Sequence, residues 1–276
     1  MNYYCLVAGL PDLRMDDTKG LAEPGELIAE ITPQLGADDR RLLRLLRAGY
    51  DNRNFLRYLH DKDARLDPAG ELTQDDWAQL VKLMDENDHP SDARLLPYWV
   101  DYYRLNPEDE IDAKGITRED YMSGLYYNYA MKADNRFLQQ WFEFNLNLNN
   151  LLIAILCRKY EMDASKAVIG SNEIASILRT THSRDFGIAG MFDQLELVMR
   201  LAEEPNLLER EKKLDALRWN WLEEHTFFNY FTVEKVLAFV LKTEMLHRWK
   251  QLSPEAGEKM FRDLLNSLKQ GVKLQE

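Results

Sequence analysis

A mostly α fold is what this chain predicts, and three observations carry that prediction. Apolar residues recur at helical spacing through most of the 276 residues. The apolar/polar alternation of half-buried strands is almost missing. Residues suited to begin and end helices stand at the edges of the periodic stretches. With 45% hydrophobic residues the chain can also bury a core.

The elements follow in order. NYYCLVAGL (2–10) is either a short strand or the first turns of a helix ended by Pro11. DDRRLLRLLRAG (38–49) puts Leu42, Leu45 and Leu46 on one helix face and its arginines on the other. QDDWAQLVKLMDEND (74–88) repeats the pattern with Trp77, Leu80, Val81 and Met84, and Thr73 with Asp76 forms a near capping box before it. In the aromatic-rich stretch 116–144, Thr117 and Asp120 open the helix. Pro205 is placed to start the helix of 205–225. Residues 232–252 are amphipathic, and Ser253-Pro254 opens a last helix that Gly271 closes. Loops rich in Asp, Pro and Gly fall near 11–25, 61–73, 87–92, 106–116 and 161–172.

Charge narrows the function. A formal net charge of −12, with no Lys/Arg-rich block, disfavours nucleic acid and anionic membranes as partners, since both would repel the chain. Cys5 and Cys157 lie in apolar surroundings outside any C-x-x-C pair, which reads as two buried, reduced thiols of a cytosolic protein. The first residues lack the basic and apolar regions of a signal peptide, and no run reaches the ~20 apolar residues of a membrane span. The most apolar stretch, FNLNLNNLLIAILCRKY (144–160), carries four asparagines, which must find hydrogen bonds in or beside a core.

That stretch belongs to a weak internal repeat. YDNRNFLRYLHDK from Tyr50 aligns with LNLNNLLIAILCR from Leu146, matching Asp51 to Asn147, Asn54 to Asn150 and Lys62 to Arg158. FTVEKVLAFVLKT is a looser third copy, with Thr232 and Lys235 in the polar slots. Each copy reads as a polar pair at a helix entry, an apolar helix and a basic end suited to the helix dipole. D-x-x-N before apolar residues is also a common helix start in its own right.

The repeated D-x-x-N entry in an acidic helical chain resembles the C-type stalk protein, also called the d-type, of the V-type and archaeal-type rotary ATPases. The Tyr-rich opening and FVLKTEMLHR (239–248), with Glu244 and Arg248, add to the likeness. The chain also looks like an uncharacterised bacterial family encoded beside V-type ATPase subunits. Asn147, Leu156 and Leu246 depart from the stalk protein's usual Asp, Arg and acidic residue. The resemblance implies an elongated or funnel-shaped body of about three related helical lobes, 1–105, 106–204 and 205–276. It implies a non-catalytic adaptor between the soluble shaft and the proteolipid ring, without cofactor or metal. Such a protein is cytoplasmic and reaches the membrane only through protein partners. Asp51, Asn54, Asn147, Asn150 and Thr232 are its helix-entry residues. Glu244 and Arg248 form an interface or structural pair, worth at most about 0.5 kcal/mol if exposed.

Two alternatives come from other classes. E-x-x-H occurs at Glu86–His89 and Glu244–His247, the spacing used by di-metal helical bundles. A helical scaffold or assembly factor with other partners is the second. SRDFG (183–187) lacks the rest of a kinase signature, so Asp185 and Gly187 read as a turn. There is no Walker A, G-x-S-x-G or G-x-G-x-x-G, so nucleotide hydrolysis by this chain is not expected. The dense aromatics of 126–131, 141–144, 219–221 and 225–231 serve either as core or as a binding patch.

Overall fold

The computed structural model describes residues 2–17, 22–104 and 115–251. Among these there are twelve α-helices and no strand, as the periodicity predicts. In chain order they are α1 (Tyr4–Gly9), α2 (Pro24–Ile31), α3 (Ala37–His60), α4 (Gln74–Glu86), α5 (Pro97–Arg104), α6 (Arg118–Ala130), α7 (Arg136–Lys159), α8 (Ala164–Ala167), α9 (Glu173–Thr180), α10 (Leu195–Ala202), α11 (Leu207–Thr226) and α12 (Val233–Gln251). The N-terminal stretch therefore settles as a helix. The helix expected after Ser253-Pro254 lies outside the described residues.

Local chemistry explains most of the boundaries. Thr73 and Asp76 complete a reciprocal capping box on α4, with Asp76 N donating to Thr73 Oγ1 at 3.2 Å and Thr73 N to Asp76 Oδ2 at 2.9 Å. Thr117 caps α6 through Asp120 N at 3.0 Å. The aromatic stretch is not one helix: α6 stops at Ala130, and Asn135 caps α7 by accepting from Leu138 N at 3.0 Å. Pro205 starts no helix. Asn206 is the capping residue, its Oδ1 accepting from Leu208 N and Glu209 N.

Contacts group the chain into two compact units, Met1–Gly36 with Asp215–Glu276, and Ala37–Leu214. This grouping is not the division at 105 and 204, because the N-terminal residues pack with the C-terminal helices.

In the larger unit, α3 and α7 are the long elements, 24 residues each and about 36 Å in length. Helix α3 packs on α4 and α6; α7 packs on α6, α8, α9 and α10. Helices α3, α4 and α5 enclose an aromatic cluster. Phe55 stacks on Trp77 at 4.9 Å, Trp77 meets Trp99 edge-on at 5.0 Å, and all three are fully buried. Each such ring removes ~200 Å² from water, an upper-bound contribution of about 5 kcal/mol. Asn52 Oδ1 accepts from both Tyr98 OH and Trp99 Nε1 at 2.7 Å, whereas the buried Trp77 Nε1 has no hydrogen-bond partner among the described residues. Burial then pushes the Tyr98 phenol far above its ordinary value, since its anion would have no water.

In the smaller unit, α12 packs on α2. Asp215, 1% exposed, accepts from Arg218 Nη1 at 2.9 Å, from Trp249 Nε1 at 2.9 Å and from Arg248. A buried carboxylate is tolerated only when answered in this way. Lys242 is also buried; its ammonium meets Glu223 and lies 4.7 Å over the Trp219 ring. Burial lowers its pKa, and Glu223 opposes that shift. Cys157 is buried, but Cys5 is exposed on the short α1, which buries only Leu6.

Candidate functional site

The asparagines of the repeat lie inside helices rather than at their entries. Asn54 sits fully buried in α3. Its Nδ2 donates to Asp67 O at 2.9 Å, and Asp67 N donates to its Oδ1 at 2.7 Å. A carboxamide has a donor and an acceptor side by side, so one side chain satisfies both backbone groups of a loop residue. Asp51, one turn earlier, accepts from Glu71 N and Leu72 N, both at 3.0 Å, just before Thr73 caps α4. The loop after α3 is thus stitched to the helix it leaves and delivered to the cap of the next.

The second copy repeats this device. Asn150 is fully buried in α7; its Nδ2 donates to Ile169 O at 2.8 Å and Ile169 N donates to its Oδ1 at 3.1 Å. Asn147, one turn earlier, accepts from Asn172 Nδ2 at 2.7 Å. Asn172 Oδ1 in turn accepts from Ala175 N at 3.0 Å and caps α9. The other asparagines of this stretch are also engaged: Asn145 Nδ2 donates to Trp141 O at 2.8 Å, and Asn149 Nδ2 to Tyr127 OH at 3.4 Å.

Charge explains why one copy has Asp and the other Asn. The Asp51 carboxylate lies in the field of Arg44 and Arg47. The repeat alignment puts Gln140 and Glu143 at those positions in α7. An anion at 147 would lack the counterparts of those two arginines, and a neutral amide needs none. Burial still raises the Asp51 pKa, against the opposing effect of the two amides and the arginines.

Two glycines make room for the clamps. A Cβ on Gly70 would overlap Asn54 Nδ2 and come within 2.9 Å of Asp51 Oδ1. Gly170 has φ +79°, and a Cβ there would lie 2.7 Å from Leu146 Cδ2. Sequence reasoning missed Gly70, Gly170, Asp67, Ile169 and Asn172. A glycine shortly before a capping residue, after each asparagine-bearing helix, was the available signal.

The third copy is not a clamp. Thr232 precedes α12, and its hydroxyl donates to Asn229 O at 3.4 Å, closing the turn after α11. Lys235 lies 6.0 Å over the Tyr230 ring. Arg248 reaches across to Asp215 on α11.

The metal-type spacings lead elsewhere. Glu86 ends α4 and His89 is exposed beyond it, so that pair does not share a helix face. His247 Nε2 lies 2.8 Å from Ala22 O, which only accepts, so this nitrogen carries the proton. Its Nδ1 faces Glu23 at 3.6 Å. Among the described residues no group of three His, Cys, Asp or Glu is placed to hold a metal ion. SRDFG is a turn: Gly187 N donates to Asp185 Oδ1 at 3.1 Å, and Gly187 adopts φ +67°.

Beside the second clamp lies an open hollow of about 420 Å³, lined by Asn128, Lys132, Arg136, Gln139, Glu143 and Asn172 among others. It gathers amide and charged groups together with the Ser171 hydroxyl, which donates to Asn128 Oδ1 at 2.8 Å. No helix among the described residues is long and apolar enough to cross a membrane.

These features define a helical protein whose larger unit contains two asparagine-clamped helix–loop–helix modules. The chain belongs to the family described as Protein of unknown function (DUF2764), whose family model matches residues 1–272. No curated protein and no solved structure matches it.

Proposed function

We propose that the chain is a non-catalytic adaptor of a V-type rotary ATPase, joining the soluble shaft to the proteolipid ring. The observation that carries this reading is the paired clamp at Asn54 and Asn150, in a chain whose sequence resembles the C-type stalk protein. A torque-bearing part needs stiffness rather than reacting groups. A clamp that fixes a loop through a buried side chain removes the freedom by which neighbouring helices would slip. The membrane is reached through protein partners, in keeping with the acidic charge.

The test is affinity purification of the tagged chain from native membranes after mild solubilisation. Shaft and proteolipid proteins should co-purify in fixed ratio. Recovery of no ATPase component overturns the adaptor. Recovery only during assembly, and not from the finished complex, makes the chain an assembly factor instead.

A further inference from the structure

We infer that the turn between α11 and α12 is a docking knob for another protein, one that presents an apolar cleft rimmed by lysine or arginine. Phe228 is 89% exposed, Phe227 60%, Tyr230 59% and Tyr4 56%. They fall in two groups on this turn: Phe227 meets Phe228 edge-on at 4.9 Å, while Tyr230 lies 6.3 Å from Phe231 and Phe231 lies 4.6 Å from Tyr4. Clustered large aromatics left in water mark a contact surface.

The turn is held in shape. Thr226 Oγ1 donates to Leu222 O at 2.7 Å, and Asn229 N donates to Thr226 O at 3.1 Å. Asn229 Nδ2 donates to His225 O at 3.3 Å, and Tyr3 N donates to Phe231 O at 2.6 Å. Rings on a fixed backbone lose little freedom on binding, as a hot spot requires.

Charge selects the occupant. Glu223 and Glu224 precede the turn and Glu234 follows it. Of the nearby cations, Lys242 is held by Glu223 and Lys235 lies over Tyr230. Lys242 cancels Glu223 and Lys235 offsets part of the rest, so the local acidic excess is small; with the −12 of the whole chain it disfavours an anionic bilayer and a second copy. It attracts a basic rim. This inference stands apart from the rotary-ATPase reading: a captured partner from outside that complex supports the knob and counts against the adaptor.

The experiment puts p-benzoylphenylalanine at Phe228 in the full chain, expressed in its own cells, with the same residue at exposed Leu208 as control. After irradiation, position 228 should give a crosslinked peptide from a different protein, with apolar residues bracketed by Lys or Arg. The yield should fall at least about tenfold when Phe227→Ser and Tyr230→Ser are added, with an unchanged thermal melt. Several results overturn the inference: no crosslink, the products of position 208, an acidic peptide, a crosslink to this chain itself or to lipid. Flotation of purified protein with phosphatidylglycerol vesicles that depends on Phe227 and Phe228 also overturns it.

Discussion

Asn54 and Asn150 hold Asp67 and Ile169 by the same two hydrogen bonds, side-chain Nδ2 to carbonyl and backbone amide to Oδ1, each from within a 24-residue helix. Both asparagines are fully buried, while Asp67 and Ile169 are half-buried.

Asn54→Ala and Asn150→Ala should each destabilise the fold by about 1–3 kcal/mol, because each removes the partners of a half-buried N–H and C=O. Asn150→Asp should fall between wild type and Ala, since a carboxylate accepts from Ile169 N but donates nothing to Ile169 O. Urea denaturation measures the cost. Proteolysis of the 61–73 and 161–172 loops shows whether only the matching loop loosens. Equal costs for Asp and Ala at 150 would contradict the two-sided clamp.

Gly70→Ala and Gly170→Ala fail for different reasons. At Gly70 the methyl displaces Asn54 and Asp51; at Gly170 it meets Leu146 in a left-handed conformation. A loss of at least about 2 kcal/mol is expected at each position, against less than 1 kcal/mol at the open Gly25. Thermal melts of the three variants check the order.

Asp51 supplies a pH signature. Burial lifts its pKa, so the folded chain binds this proton more tightly than the unfolded chain. Between the ordinary value near about 4 and the raised one, the folded state carries more protons, and stability falls as pH rises through that window. Asp51→Asn, the residue of the second copy, should remove this slope and change neutral stability by less than about 1 kcal/mol. Asp51→Leu leaves the Glu71 and Leu72 amides unanswered and should cost about 2–4 kcal/mol. Urea midpoints from acid to neutral pH measure all three chains. A wild type whose stability rises through the window would contradict the buried carboxylate.

His247 is expected to act on Ala22 rather than on a metal. His247→Leu should destabilise the fold by about 0.5–1.5 kcal/mol by removing the hydrogen bond to the Ala22 carbonyl. A chelator should leave the wild-type melt unchanged. A stoichiometric metal in the purified protein, lost in His247→Leu, would restore the di-metal reading.

Sequence alone determined what short range controls. The helical class followed from apolar spacing, and the α4 start from Thr73 and Asp76, because a capping box closes within one helical turn. The matched polar pairs were also legible, as were the turn at Asp185 and Gly187 and the need of the 144–160 asparagines for hydrogen bonds. Only the tertiary structure decided what those side chains hold. Asp67 and Ile169 are distant along the chain from Asn54 and Asn150, and a carboxamide fits a helix start or a buried clamp equally well until the loop folds back on it. Likewise, no local rule pairs Met1–Gly36 with Asp215–Glu276, or tells the aromatics left in water at 227–230 from those in the core around Trp77. Spacing reports the face of a helix; burial depends on what lies across from that face, and the whole chain sets that.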